Sequence, residues 1–95
     1  MRIETTRDFR EWIDGLRDLI GRARIQARIE RLASGNPGLY RVLSDGVCEL
    51  KIDTGPGYRV YYVRRGRVLI VLLAGGNKST QRDDIARALA LANDL

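Results

Sequence analysis

The stretch Cys48-Glu49-Leu50-Lys51-Ile52-Asp53 is followed by a Gly55-Pro56-Gly57 turn and by Tyr58-Arg59-Val60-Tyr61-Tyr62-Val63. Both flanks alternate apolar and polar residues, the period of a strand with one buried face. With Cys48, Leu50, Ile52, Val60 and Tyr62 turned into a core, Glu49, Lys51, Arg59 and Tyr61 are expected to share one open sheet face. A carboxylate, an amine, a guanidinium and a phenol side by side are the parts needed to hold and cut a phosphodiester. The chain contains no histidine, so such chemistry would run without imidazole.

The bulk numbers suit that reading. Ninety-five residues predict one domain, 1–95. Seventeen basic residues face twelve acidic ones, a net charge of +5, and all the basic residues except Lys51 and Lys78 are arginine. Arginine grips phosphate bidentately and stacks on bases, while lysine acts as a point charge that can give up its proton. A basic balance suits nucleic acid or an acidic protein partner; the competing reading is an arginine-rich solvated surface. One cysteine excludes an internal disulfide, and Cys48 on the inferred core face reads as a small hydrophobe. One cysteine and no histidine do not supply a zinc site, so no metal and no cofactor is expected. The N-terminus lacks a signal-peptide pattern and Val68 to Ala74 is far too short to span a bilayer, so a soluble, cytoplasmic protein without membrane contact is expected.

The elements that must position these residues are legible in outline. Arg2 to Thr5 reads as a first strand. Thr5 and Asp8 have capping-box spacing, and Phe9, Trp12, Ile13 and Leu16 mark one helical face. Asp18 to Gly21 reads as a break, after which Ile25, Ile29 and Leu32 stripe a second helix to about Ala33. Ser34-Gly35-Asn36-Pro37-Gly38 stops it. Strands follow at Tyr40–Leu43, Val47–Asp53 and Tyr58–Arg64. Val68 to Leu73 is apolar without alternation, the pattern of the most buried, central strand. After Gly75-Gly76-Asn77-Lys78-Ser79, Thr80 and Asp83 again have capping-box spacing, and Ile85, Ala88, Leu89 and Ala92 stripe a last helix. The expected architecture is α+β: a mainly antiparallel sheet with an N-terminal helical hairpin and a C-terminal helix, the helices on one side of the sheet.

Several of these segments together carry a family likeness. They are Phe9 with Trp12 and Leu16, Ala27-Arg28-Ile29, Gly35-Asn36-Pro37-Gly38, Gly46 to Ile52, Gly55-Pro56-Gly57-Tyr58-Arg59-Val60-Tyr61-Tyr62, and Leu72 to Ile85 with its Gly75-Gly76-Asn77-Lys78-Ser79-Thr80-Gln81 core. In these residues the chain resembles the RelE/ParE superfamily of toxins from type II toxin–antitoxin modules, and in particular its HigB-like branch, often labelled "addiction module killer protein". The resemblance implies a small RelE-like domain. It implies a ribosome-dependent, metal-independent mRNA endoribonuclease (an mRNA interferase) that cuts message in the A site of the 70S ribosome, inhibits translation and arrests growth. It implies a cognate helix-turn-helix (HigA-like) antitoxin, with operator DNA contacted only through that partner. The ParE branch keeps the fold but inhibits DNA gyrase without enzymatic action. An inactive toxin serving only in a repressor complex is a further alternative.

The site roles follow from the resemblance and from chemistry together. Arg59 matches an arginine that contacts the scissile phosphate in RelE-like nucleases, where it would neutralise charge on the phosphorane; the competing reading pairs it with Glu49 on a solvated face. Lys51 could take the proton of a ribose 2′-OH and so give a 2′,3′-cyclic phosphate, or be an ordinary cross-strand charge. Glu49 is a rival base, or a holder of Arg59 and Lys51. Lys78 lies where loop amides and a helix start would favour an anion, although its spacing is not that of a P-loop. Tyr61 could stack on a base or supply a proton. Arg22, Arg24, Arg28 and Arg31 on the second helix are expected to meet RNA phosphates, with Gln81 as a weaker contact. Trp12 and Phe9 read as core. Some family members use histidines or a C-terminal tyrosine in the site. This chain has neither, its last aromatic being Tyr62, which leaves the proton donor open.

Overall fold

The computed structural model describes every residue from Met1 to Leu95. Its elements are β1 (Arg2–Thr5), α1 (Arg7–Gly15), α2 (Leu19–Ala33), β2 (Tyr40–Val42), β3 (Val47–Ile52), β4 (Tyr58–Arg65), β5 (Leu69–Asn77), a 3-10 turn (Lys78–Thr80) and α3 (Gln81–Asn93). The five strands form one sheet in the order β1-β5-β4-β3-β2. All neighbours are antiparallel except β1, which runs parallel to β5.

The sheet is covered on both faces. Phe9 and Ile13 of α1 and Ile25 and Leu32 of α2 pack on Leu50, Ile52, Val60, Tyr62, Ile70 and Leu72. On the opposite face Ala88 and Ala92 of α3 pack on Val47, Tyr61, Val63, Val71 and Leu73. This corrects the expectation of helices on one side. The unbroken apolar run of β5 is the physical reason: a strand with no polar face needs cover above and below. Nor do the first two helices form a hairpin packed on itself; α1 lies over β5, whereas α2 lies over β3 and β4.

The helix starts fall close to their expected places, on different capping residues. Thr6, not Thr5, caps α1, its hydroxyl accepting from the Phe9 N–H at 3.1 Å. Asp18 opens α2 instead of breaking a helix. One carboxylate oxygen accepts from the Gly21 N–H at 2.9 Å, and the other accepts from the Tyr58 hydroxyl at 2.7 Å. An aspartate there satisfies an orphan helix donor. The same contact ties the helix start to β4. The backbone bond from Gly21 and the Tyr58 hydrogen bond hold the Asp18 carboxyl below its usual range.

A bulge sets the end of β5. Tyr61 faces Ala74 while Tyr62 faces Leu72, so Leu73 is an extra residue on β5. Leu73 and Ala74 both lie in the second core, and the alternation reverses beyond them. Gly75 then meets the ring of Trp12, and Gly76 meets Asp84 and Thr80, so closely that a Cβ at either position would overlap those side chains. The two glycines belong to the strand and admit close neighbours. They do not form the anion-binding loop expected from the sequence. No helix of the structure is long and apolar enough to cross a membrane.

Candidate active site on the second sheet face

Two adjacent cross-strand rows carry the polar residues of the face under α3. In the first, Arg41 lies opposite Glu49, and Glu49 opposite Tyr61. Glu49 and Tyr61 are fully buried, which corrects the expectation of an open face at these two positions: the start of α3 and its alanine stripe close over them. Both oxygens of the carboxylate are used. Its Oε1 accepts from Arg41 Nε at 2.8 Å, and its Oε2 accepts from the Tyr61 hydroxyl and from Gln81 Nε2, each at 2.9 Å. Burial alone would push the Glu49 carboxyl up; the donors of Arg41, Gln81 and Tyr61 outweigh it and hold the group below its usual range. Burial, followed by the Glu49 hydrogen bond, pushes the Tyr61 phenol far up, so it remains neutral. The Glu49 contact raises Arg41 in turn.

The second row is opposite in character. Lys51 faces Arg59, and Arg59 faces Gly76. Two cations sit directly across from each other with no carboxylate between them, an arrangement that disfavours folding. Arg59 does not pair with Glu49, and no ion pair of the structure includes Arg59, Lys51 or Lys78. Arg59 donates one bond, to the Tyr58 carbonyl at 3.1 Å, and its Nε–H is buried without an acceptor. Lys78 belongs to the same corner. A Cβ on Gly57 would lie 3.4 Å from the Arg59 guanidinium and 3.5 Å from Lys78 Cβ, which makes these two side chains neighbours across the β3–β4 turn. The amides expected to bind an anion beside Lys78 are taken within the turn: Asn77 Oδ1 accepts from the Ser79 N–H, and Thr80 Oγ1 accepts from the Asn77 N–H.

Residues 7–94 match the family described as "Phage derived protein Gp49-like (DUF891)". The chain belongs to the Gp49-like family. That family lies within the RelE/ParE-like toxin superfamily. A Haemophilus influenzae protein, described only as uncharacterized, is similar to this chain at 47% identity, over all of this chain and 96% of its own length. Full-length similarity to that protein covers both rows of the sheet face and all three helices.

The arginines of α2 in this Gp49-like chain divide by role. Arg24, Arg28 and Arg31 line a cleft of about 330 Å³ with Asp53 and Thr54. Arg28 is a strut within it, donating to the carbonyls of Lys51, Pro37 and Leu39 at 2.6–2.9 Å; burial and the nearby Arg31 lower its basicity. Arg22 pairs with Asp14 at 3.4 Å. Gln81 is turned into the Glu49 cluster. No three His, Cys, Asp or Glu side chains converge as a metal-binding group. Sequence reasoning passed over Arg41. Its signal was present, since positions 41 and 49 are equidistant from Asp45, whose φ of 55° together with Gly46 makes the hairpin turn.

Proposed function

We propose that this Gp49-like protein is the toxin of a type II toxin–antitoxin module, of HigB-like type, and acts as a ribosome-dependent, metal-independent endoribonuclease on mRNA in the A site. The observation that carries the reading is the unpaired cationic corner of Arg59, Lys51 and Lys78. Like charges held together without a carboxylate, with a buried guanidinium N–H that has no acceptor within the chain, suit the binding of a phosphate. In this reading Lys51 acts in its neutral amine form, having first released its ammonium proton to solvent; it takes the proton from the ribose 2′-OH and the 2′-oxygen attacks phosphorus. The bond to the 5′-oxygen breaks, leaving a 2′,3′-cyclic phosphate. Arg59 neutralises the charge gathering on the phosphorane. Lys78 stands beside Arg59 as the cation for the leaving oxygen, which takes up a proton from water. Glu49 and Tyr61 hold the scaffold beneath. Arg24 and Arg31 contact phosphates of the ribosome or message. The partner is a cognate helix-turn-helix, HigA-like antitoxin, with operator DNA reached only through it, and the site of action is the cytoplasm.

The burial of Glu49 and Tyr61 favours one second reading. A face whose carboxylate and phenol do not reach solvent is short of proton-transfer groups, as a ParE-like inhibitor of gyrase would be. Primer extension on a defined mRNA, with and without ribosomes programmed to expose a chosen codon, separates the two. Discrete cuts only in the presence of ribosomes are expected. Growth arrest without cuts in either reaction would move the assignment to gyrase.

A further inference from the structure

The free edge of β2 carries three features that the cationic corner does not use. The first is backbone. The Leu43 N–H donates to the Val47 carbonyl and the Lys51 N–H to the Leu39 carbonyl. With Tyr40 opposite Leu50 and Val42 opposite Cys48, the ladder bonds fall at 39, 41 and 43. The N–H and C=O groups of Tyr40 and Val42 therefore point away from β3, and β2 is the last strand of the sheet. The second feature is apolar. Tyr40 and Val42 are 45% and 65% exposed, and with Leu32, Pro37, Tyr62 and Arg64 they line a groove of about 240 Å³. The third is charge. The groove lining includes the cation Arg64 and no carboxylate, and on the other face of the same strand Arg41 is bound to Glu49 through Nε alone, with about half of its side chain exposed.

We propose that the β2 edge docks an extended, acidic segment of a partner protein, which adds to the sheet as a sixth strand. Its backbone pairs with Tyr40 and Val42 and its alternate apolar side chains enter the groove. Its alternate carboxylates fall on the other face, along the exposed side of the Arg41 guanidinium. A helix laid in the groove would leave the outward backbone groups of Tyr40 and Val42 unpaired. A second copy paired antiparallel through the same edge would set Arg41 opposite its own counterpart, like charge against like charge. The groove lies on the face opposite Arg59, so the inference does not depend on the nuclease reading.

The test uses the full chain and fluorescein-labelled peptides of about ten residues that alternate valine or threonine with glutamate, or with lysine as the control. Fluorescence anisotropy is expected to show saturable binding of the glutamate peptide and binding of the lysine peptide weaker by roughly tenfold or more. Amide hydrogen exchange is expected to slow at Tyr40 and Val42. Val42→Pro removes an outward N–H and leaves the β3 ladder bonds in place; it should weaken binding roughly tenfold with thermal unfolding unchanged. Val42→Glu keeps the backbone intact and repels the peptide, with the same expected loss. The proposal is overturned if the glutamate peptide does not saturate, if the lysine peptide binds equally, or if protection falls away from β2. It is also overturned by a concentration-dependent dimer that protects the same amides, which would assign the edge to a second copy.

Discussion

Neighbouring rows of one sheet face treat charge in opposite ways. In the Arg41–Glu49–Tyr61 row a fully buried carboxylate has three donors and every partner is accounted for. In the Lys51–Arg59 row, next along the same strands, two cations oppose each other and neither has a carboxylate partner. The first arrangement keeps a buried charge tolerable, and losing one member leaves the others unsatisfied. The second costs stability and returns nothing to the isolated fold. Where a chain keeps unpaired charge in place, the missing partner is best sought outside the chain.

Substitutions can break this contrast. Removing the carboxylate in Glu49→Ala strands the donors of Tyr61, Gln81 and Arg41. It should cost about 3–5 kcal/mol in urea unfolding, the largest effect expected. Arg59→Ala should leave unfolding within about 0.5 kcal/mol of the parent. Growth arrest and cleavage should nevertheless fall by roughly a hundredfold or more. A folded, fully toxic Arg59→Ala protein would remove the cationic corner from the mechanism.

Acid sharpens the same comparison. The Glu49 carboxyl is held below 4.5 in the folded chain, so its contribution is complete above that value and is lost as pH falls through the lowered folded value. Asp18, also lowered, adds to the same acid limb. Unfolding midpoints followed from roughly pH 6 down to pH 3 should therefore drop steeply in the parent and less steeply in Glu49→Gln. The smallest effect concerns Lys51→Gln. Relieving the like-charge pair should raise stability by about 0.2–0.5 kcal/mol while cleavage is lost. A loss of stability would mean that Lys51 has a structural partner.

Much of the fold is readable from local pattern. Strand alternation around Leu50 and Val60, the Gly55–Gly57 turn and the helical stripes at Phe9 and Ile25 all lie within a few residues of their causes. The second core was signalled only by the missing alternation in β5, and the helix that covers it was expected on the same side of the sheet as the other two. The site was legible as a set of residue types, but its internal pairing was not. Arg59 and Arg41 are equally plausible partners for Glu49 on charge alone, and the register of the β2–β3 hairpin decides between them.

Composition and short-range periodicity by themselves determined the α+β class, the basic balance, the absence of imidazole and the proximity of Lys51 to Arg59 across one turn. Tertiary structure decided which polar residues see solvent. α3 arrives more than thirty residues after Glu49 in the chain, and no local signal says on which face it lands. Once it covers the second face, Glu49 and Tyr61 become a locked support, and the uncovered end of that face belongs to Lys51, Arg59 and Lys78. The physical reason is that burial is a property of contacts between distant segments, whereas alternation and turn chemistry are properties of neighbours in sequence.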